Sequence, residues 1–239
     1  MGRDSQSHGA HKVLAGMLGN FDSLGASNNG GDQMLPVVLE RVKSLGFRVF
    51  GENEGSANYD MNLVAIRAKP QKGQKKIKAG EFRDLIFLIY RAHGQWVSKC
   101  WTCTTSPGTY YLKTASKDFG RNGTAVVVPG QYPAAYKVGH HKNYEALRHC
   151  GPLTIYRDGN KDDLIDIGSP EDFETGSDMA INIHRAFATK ASKVNSKWSA
   201  GCCVINDPKG FAQFMNTAKL QVEHGVGKTF TYTLLEQWW

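Results

Sequence analysis

Long apolar runs are missing from this chain of 239 residues. The longest strongly apolar stretch, Leu85 to Tyr90, is far short of the roughly 20 residues a helix needs to cross a bilayer. No membrane insertion is expected, and the stretch reads as a buried strand. The opening residues, Met1-Gly2-Arg3-Asp4-Ser5, carry no basic segment followed by an apolar one, so no secretory signal is visible and synthesis in the cytoplasm is expected. Internal repeats are absent. An H-E-x-x-H segment is also lacking, so His140, His141 and His149 read as surface histidines rather than zinc ligands, with His140 and His141 placed to line a groove. The five cysteines are an odd number, and without an export signal they read as free thiols, of which at least one is open to chemistry.

What is present suits a packed domain. Hydrophobic residues make up 41% and charged residues 21%, the balance of an ordinary globular core. The formal charge of +7 favours an acidic partner: nucleic acid, an anionic membrane, or a polymer rich in phosphate and carboxylate. Charge alone does not choose among them.

Residues 1–32 are rich in Gly, Ser and Asn and read as a loosely held arm and linker, leaving 33–239 as a single domain and a monomer as the expected state. Pro36 to Gly46 has helical apolar spacing between a proline and a glycine. Beyond Asn62, short β-branched segments bounded by Gly, Pro and Asn recur at 63–66, 85–90, 96–103, 124–128 and 153–156. Segments 180–184 and 201–205 continue the pattern, then Asp207-Pro208 opens a helix and 228–235 a last strand. The class is mainly β with a few helices, a sandwich or a barrel. The lysines at 69, 72, 75, 76 and 78 read as a solvated hairpin tip; no aromatic interrupts them before Phe82, which argues against single-stranded nucleic acid.

The strongest chemical signal is Trp198-Ser199-Ala200-Gly201-Cys202 with Ile181-Asn182-Ile183-His184 upstream. A thiol attacks as thiolate, and a neighbouring histidine is the common way to generate one near neutral pH. In a strand Asn182 and His184 share one face and Ile181 and Ile183 the other. The same alternation sends Cys202 and Cys203 to opposite sides, Cys202 toward a cleft and Cys203 toward the core. Gly201 lets a substrate backbone approach and frees main-chain N–H groups for an oxyanion.

These residues resemble the L,D-transpeptidase (YkuD-like) family, whose hallmark is I-x-I-H followed after a loop by S-x-G-C; here Cys202 follows His184 by 18 positions. The likeness is to a divergent, phage-type branch of wall-degrading, endolysin-like proteins over residues 60–235, and includes Val128-Pro129-Gly130-Gln131-Tyr132. It implies a β-sandwich and an enzyme acting on bacterial peptidoglycan through a Cys202 thioester with His184 as base. Ser199 would position the loop, Gly201 and Cys202 N–H groups would hold the oxyanion, and Arg185, Asn182, Trp198, Tyr132 and His140 would contact substrate. Ala200 stands where the family has histidine, Val204 where it has arginine, and Arg185 where a glycine follows the catalytic histidine. Arg185 can then take over carboxylate recognition with its bidentate fork. Absence of an export signal favours a lytic hydrolase that waits in the cytoplasm and reaches the periplasmic wall on release. The alternatives are a cross-linking transpeptidase and a decayed wall-binding or virion structural protein; a nucleic-acid-binding module rests on charge alone.

Two further signals are weaker. Cys100 and Cys103 have C-x-x-C spacing, yet in a strand they face opposite sides and read as structural. Asp158 to Asp166 alternates acidic and amide oxygens but lacks the glycine and glutamate of a calcium loop, so an acidic turn is expected, a structural calcium is the alternative, and no other cofactor is implied.

Overall fold

The computed structural model describes residues 34–53, 55–114, 123–177 and 179–239; the expected arm at 1–32 lies outside them. After helix α1 (Val37–Ser44) come β1 (Asn62–Arg67), β2 (Ile77–Lys78), β3 (Asp84–Ala92), β4 (Gln95–Thr104) and the short helix α2 (Thr109–Thr114). The chain continues through β5 (Thr124–Val127), β6 (Gly130–His141), β7 (Tyr144–His149), β8 (Leu153–Asp158), β9 (Leu164–Ile165) and β10 (Glu174–Gly176). It ends with β11 (Ile183–Arg185), β12 (Cys203–Ile205), helix α3 (Pro208–Glu223) and β13 (Thr229–Glu236).

The expectation of a mainly β chain with a few helices holds, but the main sheet closes on itself instead of splitting into two layers. β1 pairs parallel with β13 on one side and antiparallel with β3 on the other, which completes the ring β1-β13-β6-β7-β11-β12-β4-β3. Closure leaves no free edge among these eight strands. Strands β10, β8 and β5 form a separate small sheet, and β2 pairs with β9.

Strand alternation builds the two larger of three apolar clusters among the described residues. Leu63, Ala65, Ile86, Leu88, Cys103, Ile183, Cys203 and Leu234 point inward together with Tyr132, Tyr136 and Tyr232. Helix α3 adds Phe211, Phe214, Met215 and Ala218 to the same cluster, Phe214 meeting Trp101 edge-on at 5.3 Å. Its start is set by Asp207, whose carboxylate accepts the Gly210 N–H at 2.8 Å, with Pro208 in the first turn. On the outside, α1 lays Val38, Leu39 and Val42 over Val64, Ile66, Phe87, Ile89 and Trp96. Cys100 packs with this outer cluster and Cys103 with the inner one, so the two thiols lie on opposite faces of β4, as alternation predicts.

The lysine-rich excursion joins β1 to β3, two antiparallel neighbours. It docks on the acidic segment: Lys76 pairs with Asp166, and Lys78 lies 3.8 Å from Asp163. Within that segment Asp158 accepts the Asp166 N–H at 2.9 Å, and the Asn160 amide donates to Asp162 and Asp166. No helix among the described residues is long and apolar enough to cross a membrane.

Candidate active site

β11 and β12 run side by side in parallel, with Ile183 opposite Cys203 and His184 opposite Val204. A parallel pair needs a connection of about a dozen residues or more, and residues 186–202 supply it. This register sets Cys202, at the mouth of β12, alongside Asn182. The Asn182 backbone N–H points at the Cys202 sulfur at 3.4 Å, and the thiol donates to the Ala180 carbonyl at 3.6 Å. Cys203 and Ile183 share the inner core, so Cys202, Asn182 and His184 fall on the other face. Among the described residues no hydrogen bond joins the Cys202 thiol to the His184 ring. The predicted strand at 180–184 is regular only from Ile183, because Ala180 adopts a positive φ of 53°.

His184 is 2% exposed. Its Nδ1 lies 2.8 Å from the Arg185 carbonyl oxygen, which can only accept, so Nδ1 carries the proton of the neutral ring and Nε2 keeps its lone pair. Nε2 is buried and has no hydrogen-bond partner among the described residues. The Tyr144 hydroxyl donates to the same carbonyl at 3.3 Å. Burial, followed by the neighbouring His141, pushes the His184 pKa down from 6.5 to about 3. Burial likewise pushes the partly exposed Cys202 thiol up to about 11, against the opposing N–H of Asn182. Both shifts favour the uncharged forms of the thiol and the imidazole. Burial of the two groups runs against a preformed thiolate near neutral pH, since it disfavours both charged forms.

His141 stacks on His184 with ring centroids 4.1 Å apart and planes 5° from parallel. Asn182 holds it there. The Asn182 Oδ1 accepts the backbone N–H of His149 at 2.9 Å, which turns its Nδ2 toward His141 Nδ1 at 3.1 Å. Asn182 therefore braces a ring of the site from a nearly buried position, 8% exposed.

Ser199 is fully buried, donates to the Cys202 carbonyl at 2.7 Å and accepts the Gly201 N–H at 3.0 Å. It fixes the loop that presents the thiol. The same bond corrects the role expected of Gly201, whose N–H is already taken. Glycine is required there for another reason: its φ is +134°, and a Cβ would come within 2.7 Å of the Ala125 carbonyl oxygen in β5.

Other expected contacts lie elsewhere. Tyr132 is inside the barrel and its hydroxyl donates to the Val128 carbonyl, so it is a core residue rather than a substrate contact. His140 sits opposite Glu145 at the exposed end of β6, and strand alternation brings its neighbour His141 into the site instead. Trp198 packs edge-on against Phe187 at 4.4 Å. Arg185 lays its guanidinium over the Tyr144 ring at 4.0 Å. Arg185 and Tyr144, but not Trp198, border a groove of about 330 Å³ floored by Phe211, Ala212 and Met215 of α3. Tyr144 was not singled out by sequence; an aromatic immediately after a turn at 142–143 carries no distinguishing signal. Among the described residues no group of three or more His, Cys, Asp or Glu side chains is placed to hold a metal ion.

No family model, curated protein or solved structure matches the chain.

Proposed function

We propose that this protein is a cysteine-dependent peptidase of bacterial peptidoglycan. The observation that carries the reading is the commitment of His184 Nδ1 to a carbonyl, which leaves a buried, unpartnered Nε2 lone pair on the strand face that Cys202 shares. Because both groups rest neutral, proton transfer accompanies attack instead of preceding it. Cys202 Sγ bonds to the carbonyl carbon of a stem-peptide or cross-link amide as its proton passes to His184 Nε2. The C–N bond then breaks, and the leaving amine takes that proton. Water attacks the resulting thioester, gives one proton to His184, and releases the acid as Sγ is reprotonated.

Arg185 supports recognition of a carboxylate-bearing peptide: its fork stands over Tyr144 at the rim of the groove, with no ion pair among the described residues. The charge of +7 suits a wall polymer rich in carboxylate and phosphate. In this reading the enzyme acts as a monomer on the periplasmic face after release from the cytoplasm.

The test is digestion of purified sacculi with mass analysis of the fragments. Wild-type protein releases peptides cut at one amide, Cys202→Ala releases none, and Cys203→Ala stays active while losing on the order of 1 kcal/mol of stability from the core. Undiminished lysis by Cys202→Ala would refute the assignment.

A further inference from the structure

Catalytic histidines are commonly steadied by a carboxylate, which also offsets the charge they acquire. Here no Asp or Glu among the described residues bonds or ion-pairs with either His184 or His141. The charged side chains that act on the pair are cationic, Lys142 on both rings and Arg185 on His184. Among the described residues, an imidazolium formed at His184 meets the Arg185 carbonyl and the Tyr144 hydroxyl at Nδ1, 2.8 and 3.4 Å away, and the face of the His141 ring. A charged His141 pushes the His184 pKa down, whereas a cation within about 6 Å of a neutral aromatic face is attracted to it, so the ring supports His184 only while it is itself neutral.

The hydrogen bonds around His141 enforce that neutrality. A backbone N–H can only donate, so the His149 bond fixes Asn182 Oδ1 as acceptor and Nδ2 as donor. His141 Nδ1 must then accept, and its proton resides on Nε2. Protonating His141 would set an N–H against the N–H of Asn182. The two stacked rings thus hold opposite tautomers, each imposed by a different backbone group.

We propose that His141 is a positioning residue, a neutral π platform locked in its Nε2–H form by Asn182, which carries the positive charge that His184 gains on taking the Cys202 proton. This role rests on the reading of Cys202 and His184 given above. Asn182 is then part of the charge control of the site, and Tyr144, edge-on to His141 at 5.6 Å, completes the aromatic wall.

Two measurements on the full chain test it. ¹⁵N NMR of the imidazoles reads the tautomers directly, and acylation of Cys202 by p-nitrophenyl acetate, followed from about pH 5 to about pH 9, reads the reaction. His141 is expected to show an unprotonated Nδ1 and His184 an unprotonated Nε2. His141→Ala should acylate about tenfold more slowly, within the range that a cation over an aromatic face is worth, while His141→Phe, which keeps a face, recovers most of the rate. Asn182→Asp still accepts the His149 N–H but offers a carboxylate to His141, so His141 takes up a proton; acylation should fall at low pH and return as pH rises and that proton leaves. A protonated Nδ1 on His141 in the unmodified protein, or equal rates for the Ala, Phe and wild-type proteins, would overturn the platform. Wild-type acylation rates in Cys202→Ala or His184→Asn would instead sink the underlying catalytic assignment, so the two failures are distinct.

Discussion

Replacing His184 by Asn removes one titrating nitrogen from the interior and leaves a donor for the Arg185 carbonyl. Its consequence is readable in the acid limb of stability. The ring is 2% exposed, Nε2 has no partner, and proton uptake in the folded state is held down to about 3. An unfolded histidine takes its proton near 6.5. Between these values the unfolded chain binds a proton that the folded chain refuses, so the folded state loses about 1.4 kcal/mol for each unit that pH falls. Above 6.5 both states are neutral at this residue and the contribution is flat. From pH 6.5 to pH 4.5 the loss through His184 alone comes to roughly 2 kcal/mol. The Asn variant lacks it, although it is less stable at neutral pH because ring volume is missing from a packed site. Urea unfolding of both proteins across this range should show the gap between them narrowing by roughly 2 kcal/mol toward acid. Because the other histidines are common to both proteins, parallel curves would mean that the folded ring accepts its proton as readily as the unfolded one, and the argument for a dry, neutral base would fail.

Gly201→Ala should destabilise the protein by about 1–3 kcal/mol and displace Cys202, because the φ of +134° is strained for any side chain and the new methyl meets the Ala125 carbonyl at 2.7 Å; thermal unfolding together with Cys202 acylation checks both effects, and an unshifted melting curve would contradict the geometry. Arg185→Lys keeps the charge but loses the planar fork on Tyr144, so KM for wall fragments with free carboxylates should rise while Cys202 reacts unchanged with a small neutral alkylating agent; unaltered kinetics would move recognition away from the groove.

The parts of the structure readable from sequence are those set by local alternation and capping. The parity of Cys202 against Cys203, and of Cys100 against Cys103, follows from the two-residue period of a strand, and each pair divides as that period demands. Asp207-Pro208 announces α3 by chemistry confined to its first turn. Closure of the sheet is a different kind of fact. It depends on β1 meeting both β13 and β3, a pairing across most of the chain that no local pattern encodes. The long strand β6 has no counterpart among the segments expected as strands: it contains Gly130, Pro133 and Gly139, bends at a register shift opposite 230–232 and carries on to His141. By sequence both His140 and His141 line a groove and His140 contacts substrate, whereas the phase of β6 leaves His140 exposed and stacks His141 on His184. The thiol shows the complementary limit. Motif spacing brings a cysteine to a histidine, but whether the pair rests charged depends on how much water and countercharge surrounds it. Here the sheet, the hairpin end carrying His141 and Tyr144, and two cations supply neither, so any charge at His184 has to be created and supported within the reaction itself.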